Sequence, residues 1–245
     1  MEYDEFVVRT DWKLGEIYGK WVAKRILKVA LKKVDLNPSN LRMLEVGVGR
    51  GWLIQAARKR GITNLVGIEP NTTLAGICRS KIANFDVLEV SLPVLPNELT
   101  GSLDLVIASQ VIEHASSPSE AREWINAILN TTKEGGVIAI ICPDLLEFKE
   151  YFWDIDWSHG FPTTVNRLVQ IFSDLNCEIL MARKFRLGSV GIFANFVAIA
   201  VNAIVPTRLL DLLGETLMNR SLGRGFKAGF IWSNAFIIAR KPIIL

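Results

Sequence analysis

The sequence predicts an α/β fold: a doubly wound, mostly parallel sheet with helices on both faces. Three observations predict it. Strand and helix patterns alternate from Arg42 to Leu175. The first strand pattern runs into three glycines at every second position, Gly47, Gly49 and Gly51. The second strand pattern ends on a carboxylate, Glu69. A glycine-rich loop at the carboxyl end of a strand is where open α/β sheets bind ligands.

The elements follow in order. Glu16–Val34 reads as a helix with Val22, Ile26, Val29 and Ala30 on one face and Lys20, Lys24, Arg25, Lys28 and Lys32 on the other, Trp21 among them. Asn37-Pro38-Ser39-Asn40 breaks the chain. Arg42–Val48 is a strand, Trp52–Arg60 a helix, Leu65–Glu69 a strand and Thr72–Ala83 a helix. A short strand at Val87–Val90 precedes a strong one at Leu103–Ser109. Ser119–Asn130 is a helix that ends near Gly135-Gly136, Val137–Cys142 a strand and Thr164–Leu175 a helix. Glu178–Arg186 and Phe230–Arg240 are further strands. The 245 residues are expected to form a single domain: an N-terminal lid and basic helix (1–35), a core (36–186), an apolar helical insertion (187–226) and a last strand (227–245).

Composition narrows the function. The net charge of +3 gives no bulk attraction to nucleic acid. Cys78, Cys142 and Cys177 lie scattered in apolar-periodic segments and read as buried small hydrophobes. The acidic start, Met1-Glu2-Tyr3-Asp4-Glu5, does not fit a secretory signal, so a cytoplasmic location is expected. Half of the residues are hydrophobic, a high share for a soluble protein.

A glycine loop followed by an acid after the second strand serves two cofactor classes. Nicotinamide enzymes show G-x-G-x-x-G, whereas this loop is Glu45-x-Gly47-x-Gly49-x-Gly51. With Glu69, Leu103-Asp104-Leu105-Val106 and Gly135-Gly136, the chain resembles class I S-adenosylmethionine (SAM)-dependent methyltransferases. It is most similar to the group that includes ubiquinone-biosynthesis O-methyltransferases and glycan methyltransferases. The resemblance covers Arg42 to Leu180 and Phe230–Pro242. It implies a seven-stranded, Rossmann-like sheet and SAM as cofactor. It also implies that Glu45, Gly47, Gly49 and Gly51 contact the methionine and adenosine parts of SAM. Glu69, with Pro70 beside it, would hold the ribose, and Ser109 and Gln110 would open the loop that lines the sulfonium. Many relatives carry Asp-Ala after the third strand; here Ser91-Leu92 follows Glu89, and Ser91 is the group that could meet the adenine. The alternatives kept are an NAD-dependent oxidoreductase and a non-catalytic SAM-binding protein.

Methyl transfer is an in-line displacement, and a hydroxyl acceptor benefits from a base. Both histidines of the chain fall in loops at the carboxyl edge: His114 after Ser109–Glu113, and His159 in Tyr151–Pro162. His114 reads either as a catalytic group or as a neutral residue packed under the cofactor. His159 reads as a base or hydrogen-bonding residue, with Tyr151, Asp154, Asp156 and Trp157 lining a substrate pocket, or as part of a solvated loop. An Asp/His metal site has too few ligands, the extra acids of metal-using O-methyltransferases are not evident, and no metal is expected.

Leu187–Thr207 contains no charged residue. A single membrane crossing would strand the last β-strand on the wrong side, and Arg208–Arg220 is too charged for a second span. An apolar helical hairpin is expected, roofing a hydrophobic pocket, dipping into a membrane surface or buried in an interface. With the basic helix 16–34, segment 187–222 suits peripheral association with an anionic membrane. The expected acceptor is a small molecule, glycan or lipid-linked hydroxyl. The N-terminal Tyr3, Phe6 and Trp12 are expected to form a lid.

Overall fold

The computed structural model describes residues 13–188 and 232–243. Helix α1 (Lys13–Leu31) precedes a six-stranded sheet of β1 (Arg42–Val46), β2 (Asn64–Ile68), β3 (Leu103–Ser109), β4 (Thr132–Pro143), β5 (Glu178–Phe185) and β6 (Asn234–Arg240). Between them run α2 (Trp52–Arg58), α3 (Thr72–Lys81), α4 (Pro118–Thr131), the one-turn helices α5 (Leu145–Phe148) and α6 (Tyr151–Asp154), and α7 (Val165–Asp174). The strand order is β2-β1-β3-β4-β6-β5. β6 alone runs against its neighbours β4 and β5. The winding reverses between β1 and β3, which pair in parallel. The loops that leave their carboxyl ends therefore flank a crevice.

Alternation along the strands divides the core. Leu44, Val46, Val106, Ala108, Ile138, Ile140 and Ile237 face α4 and α7 through Ile125, Ile128, Leu168 and Phe172. Met43, Leu105, Ile107, Ala139, Ile141, Phe236 and Ile238 face α1 and α2 through Ile26, Leu27, Leu53 and Ala57. Period-two burial on both faces is what a central parallel sheet requires. All three cysteines are free and buried, as their apolar setting predicts.

The structure departs from the sequence reading in four places. The seventh strand, Val87–Val90, is reduced to a single parallel bridge, Ile68 to Leu88. Leu88 N donates to Gly67 O and Glu69 N to Leu88 O, but a turn closed by Val94 N donating to Ser91 O ends the pairing. Second, β4 starts at Thr132 rather than Val137, directly after α4. Gly135 adopts φ +73°, which lets the strand absorb the irregularity that shifts its register against β3. Third, Arg25 does not join the solvated basic face. Its guanidinium lies over the rings of Trp21 and Phe185 at 4.7 and 4.8 Å and donates to the carbonyls of Arg186 and Leu187 beyond β5. Lys24, Lys28 and Lys32 remain exposed, while Lys20 pairs with Glu16 at 2.6 Å. Fourth, Trp21 is half-buried rather than exposed. No helix among the described residues is long and apolar enough to cross a membrane. The expected lid residues Tyr3, Phe6 and Trp12 and the insertion from 189 to 226 lie outside the described residues.

Candidate active site

The glycine loop is built to present backbone at the crevice. Gly47, Gly49 and Gly51 all have positive φ, at +73°, +49° and +73°. Their surroundings differ. A Cβ on Gly47 would lie 2.7 Å from the Val111 side chain, and one on Gly51 would lie 2.5 Å from Ile82 and 2.8 Å from Cys78 Sγ. A Cβ on Gly49 would meet nothing within 4 Å. Gly49 therefore marks the open side of the loop, while Gly51 is a packing glycine at the start of α2.

Two carboxylates border this open side. Glu69 Oε2 accepts from Gly49 N at 2.9 Å and Oε1 accepts from Asn71 N at 3.1 Å, so the acid holds the loop as well as closing β2. Burial pushes its carboxyl above the ordinary value, against those two N–H groups. Glu45 is buried at 5 % exposure, and its Oε2 has no hydrogen-bond partner. Burial pushes Glu45 well up; the Ile54 N–H opposes the shift and the like charge of Glu69 adds to it. Two buried acids and an open glycine edge suit a cationic ligand. A pyrophosphate would be repelled here, whereas the ammonium and sulfonium of SAM supply the positive charge that ionises these acids. The orphaned Oε2 of Glu45 and the unfilled face of Gly49 are the two observations on which SAM fits these residues.

The remaining cofactor candidates are placed less uniformly. Gln110 sits in the left-handed region at φ +58°, its Nε2 donating to Asn234 Oδ1 at 3.1 Å, beside a half-buried Ser109. Pro70 and Ser91 are exposed. Other parts of the motif prove structural. Asp104 Oδ2 accepts from Arg42 N at 2.8 Å and Oδ1 from Lys133 Nζ at 2.8 Å. Gly135 and Gly136 exchange backbone bonds with Lys241. These groups belong to the beginnings of β1, β3 and β4, at the opposite end from the glycine loop.

The two histidine loops close onto one another. Gly160 N and Phe161 N both donate to Glu113 O at 3.0 Å. A Cβ on Gly160 would lie 2.5 Å from Ala115 O, so glycine is what permits this approach. The imidazoles of His114 and His159 meet edge to face with centroids 5.1 Å apart. His159 Nδ1 lies 2.5 Å from Phe152 O, a carbonyl that can only accept, so Nδ1 carries the proton. His114 Nδ1 lies 2.9 Å from Ser158 Oγ, whose own proton goes to Asp156 Oδ1 at 2.6 Å. His114 Nδ1 is therefore also a donor. Burial lowers the pKa of both rings, and for His114 the neighbouring His159 lowers it further against Asp156. Both are neutral, with Nε2 as the basic nitrogen. Beside them Glu113 is fully buried, with no side-chain partner on either carboxylate oxygen among the described residues. Burial pushes its pKa up to about 8; the backbone N–H groups of Glu113 itself and of Val111 oppose the shift and the charge of Asp156 adds to it.

Of the expected pocket residues, Asp156 orders Ser158 and through it His114. Tyr151 stacks on Trp232 at 5.2 Å, and Phe148 packs on the same indole at 4.9 Å. Asp154 is exposed, and Trp157 and Trp153 are exposed at 76 % and 47 %. Sequence reasoning missed three contributors. Glu113 had its signal in the Glu-His pair, Gly160 in a glycine directly after a histidine, and Trp232 in an indole at the start of the last strand.

The comparisons agree with this geometry. Residues 18–181 match the family described as methyltransferase domain. A search of curated proteins returns no match. Solved structures share the fold. A putative methyltransferase of Haloferax volcanii, solved in complex with the Trm112 methyltransferase activator, is 15 % identical with a TM-score of 0.70, over 100 % of this chain and 97 % of that one. A SAM-dependent methyltransferase from Archaeoglobus fulgidus is 21 % identical with a TM-score of 0.59, over 89 % and 94 %. A putative methyltransferase from Bacillus halodurans is 14 % identical with a TM-score of 0.62, over 90 % and 99 %. With the matched family spanning well over half of the chain, and SAM suited to the loop and its two acids, the protein belongs to the methyltransferase domain family as a class I SAM-dependent methyltransferase.

Proposed function

We propose that the protein transfers the methyl group of SAM to a hydroxyl oxygen of a small-molecule, glycan or lipid-linked acceptor. The observation that carries this reading is the neutral His114–His159 pair, 5.1 Å between centroids, on the loops that follow β3 and β4. Bound SAM supplies an electrophilic methyl group. The chain's own residues hold the cofactor through Glu45, Gly49 and Glu69. They fix both imidazoles with Nε2 basic, and Nε2 can take the acceptor's proton as its oxygen attacks. The exposed Trp157 and Trp153, at 76 % and 47 %, support an acceptor with an apolar part, since their rings offer unburied apolar surface on the loop that carries His159. Exposed lysines along α1 support association with an anionic membrane that carries such an acceptor.

Incubation with methyl-labelled SAM and separated lipid and polar extracts tests this reading. Label in a base-stable ether of a lipid or glycan is the expected product. Label confined to amines, or no turnover with any extract despite bound SAM, would remove it.

A further inference from the structure

Among the described residues, Glu113, His114 and His159 bring two imidazoles and a buried carboxyl group together. One ring nitrogen of each histidine and a carboxylate oxygen of Glu113 all lie within 4.8 Å of one another. The hydrogen bonds described above use Nδ1 of both rings, to Phe152 O and Ser158 Oγ, which leaves Nε2. Both oxygens of Glu113 are buried with no side-chain partner among the described residues, and the backbone N–H groups of Val111 and of Glu113 itself are what favour its ionised form. Burial opposes ionisation of this carboxyl, and a cation held between it and two basic ring nitrogens is what would stabilise its ionised form.

We infer that Glu113, His114 and His159 bind a divalent transition metal ion at the mouth of the active site. Two imidazoles and one carboxylate suit Zn²⁺, Mn²⁺ or Co²⁺ better than Mg²⁺, which prefers oxygen donors. Three protein ligands leave a coordination position for a hydroxyl. The outer contacts are those that orient metal-binding histidines. Nδ1–H of His159 donates to a backbone carbonyl, and Nδ1–H of His114 to a hydroxyl held by Asp156. Separation of up to 4.8 Å between donor atoms requires the ligands to close by a small amount around the ion. Gly160, tied with Phe161 to Glu113 O, keeps the two loops near enough for that closure.

The inference rests on the proposed hydroxyl acceptor only for its catalytic consequence. With the ion in place, the histidines act on the acceptor through the metal instead of taking its proton. A coordinated hydroxyl loses its proton to solvent more readily. Its oxygen forms the C–O bond as the C–S bond of SAM breaks and S-adenosylhomocysteine leaves.

The chain has two histidines, so the test can be read without ambiguity. Untagged protein stripped with a chelator is titrated with CoCl₂, and the histidine ring protons are followed by NMR. Binding at one ion per chain with both sets of ring resonances shifted is expected, with MgCl₂ far weaker. Glu113→Gln and His159→Ala should each weaken Co²⁺ binding by about tenfold or more. SAM affinity, measured by calorimetry on the same samples, should stay near wild type and reports that the variants are folded. Absence of stoichiometric Co²⁺ binding to wild type, or binding that leaves the histidine signals in place, overturns the site. Failure of wild type to bind SAM would instead strike the methyltransferase reading and leave the metal result standing.

Discussion

Gly49 N donates to Glu69 Oε2 at 2.9 Å, and this bond joins the loop after β1 to the end of β2. It holds a residue with φ +49° against a carboxyl whose pKa burial raises and this N–H lowers. The loop and the acid are thus one unit before any ligand arrives, and the proposed cofactor site has its backbone already set.

The glycines of that loop should respond differently to alanine. Gly49→Ala places a methyl on the open face and strains a left-handed residue by about 1–2 kcal/mol. Gly51→Ala also drives a methyl to 2.5 Å from Ile82. We expect Gly49→Ala to weaken SAM binding more than it lowers the melting temperature, and Gly51→Ala to do the reverse. Calorimetry and thermal unfolding of the two variants decide it; equal effects on both measures would count against the assignment of roles.

Glu45→Gln keeps the shape of the side chain and removes the charge that meets a cationic cofactor. SAM affinity should fall by about tenfold or more, equivalent to ~1.4 kcal/mol. S-adenosylhomocysteine, which keeps the ammonium but lacks the sulfonium charge, should be affected through the ammonium alone. Unchanged affinity for both ligands would show that Glu45 serves the fold only.

The raised pKa values of Glu45 and Glu69 set a pH dependence with a definite sign. Folded, these acids bind protons at pH values where the unfolded chain has released them. The native state then holds more protons than the unfolded state, and stability falls as pH rises above the ordinary carboxylate range. Relative to Glu45→Gln, the apoprotein should lose stability as pH rises above the ordinary carboxylate range, while the two buried histidines act in the opposite sense in both proteins. SAM should counter the loss, because it favours the ionised acids. Denaturant melts across that range, with and without SAM, measure both.

Gly160→Ala would bring a methyl to 2.5 Å from Ala115 O, a backbone atom that cannot swing aside. A cost of about 1–3 kcal/mol in stability is expected, with methyl transfer reduced and SAM affinity kept. Loss of SAM binding instead would mean that the two histidine loops also support the cofactor.

Trp157 is 76 % exposed and contributes little to packing. Trp157→Ala should leave the melting temperature within a degree or two while raising KM for an apolar acceptor. No change in KM for any lipid-linked acceptor would place Trp157 outside acceptor recognition.

The position of the glycine loop and its acid was legible along the chain, because local patterns carry it. Glycines at every second residue demand a turn whatever surrounds them, and Glu69 at a strand end must emerge at the carboxyl edge. Period-two burial placed the central strands to within a few residues. The sequence could not tell that Asp104 and Gly135-Gly136 work at the far end of the sheet, pinning strand starts. The same pairing geometry would suit either role. Nor could it place Val87–Val90, where a turn at Ser91 overrides a strand-like composition. The tautomers of His114 and His159 depend on Ser158 Oγ and Phe152 O, and the contact between their loops on the bonds that Gly160 and Phe161 donate to Glu113 O. Those bonds join segments far apart in sequence, and only the packed sheet brings them within reach. Chain-local chemistry determined the fold and the methyl donor's loop; the tertiary structure decided which buried groups were left without partners.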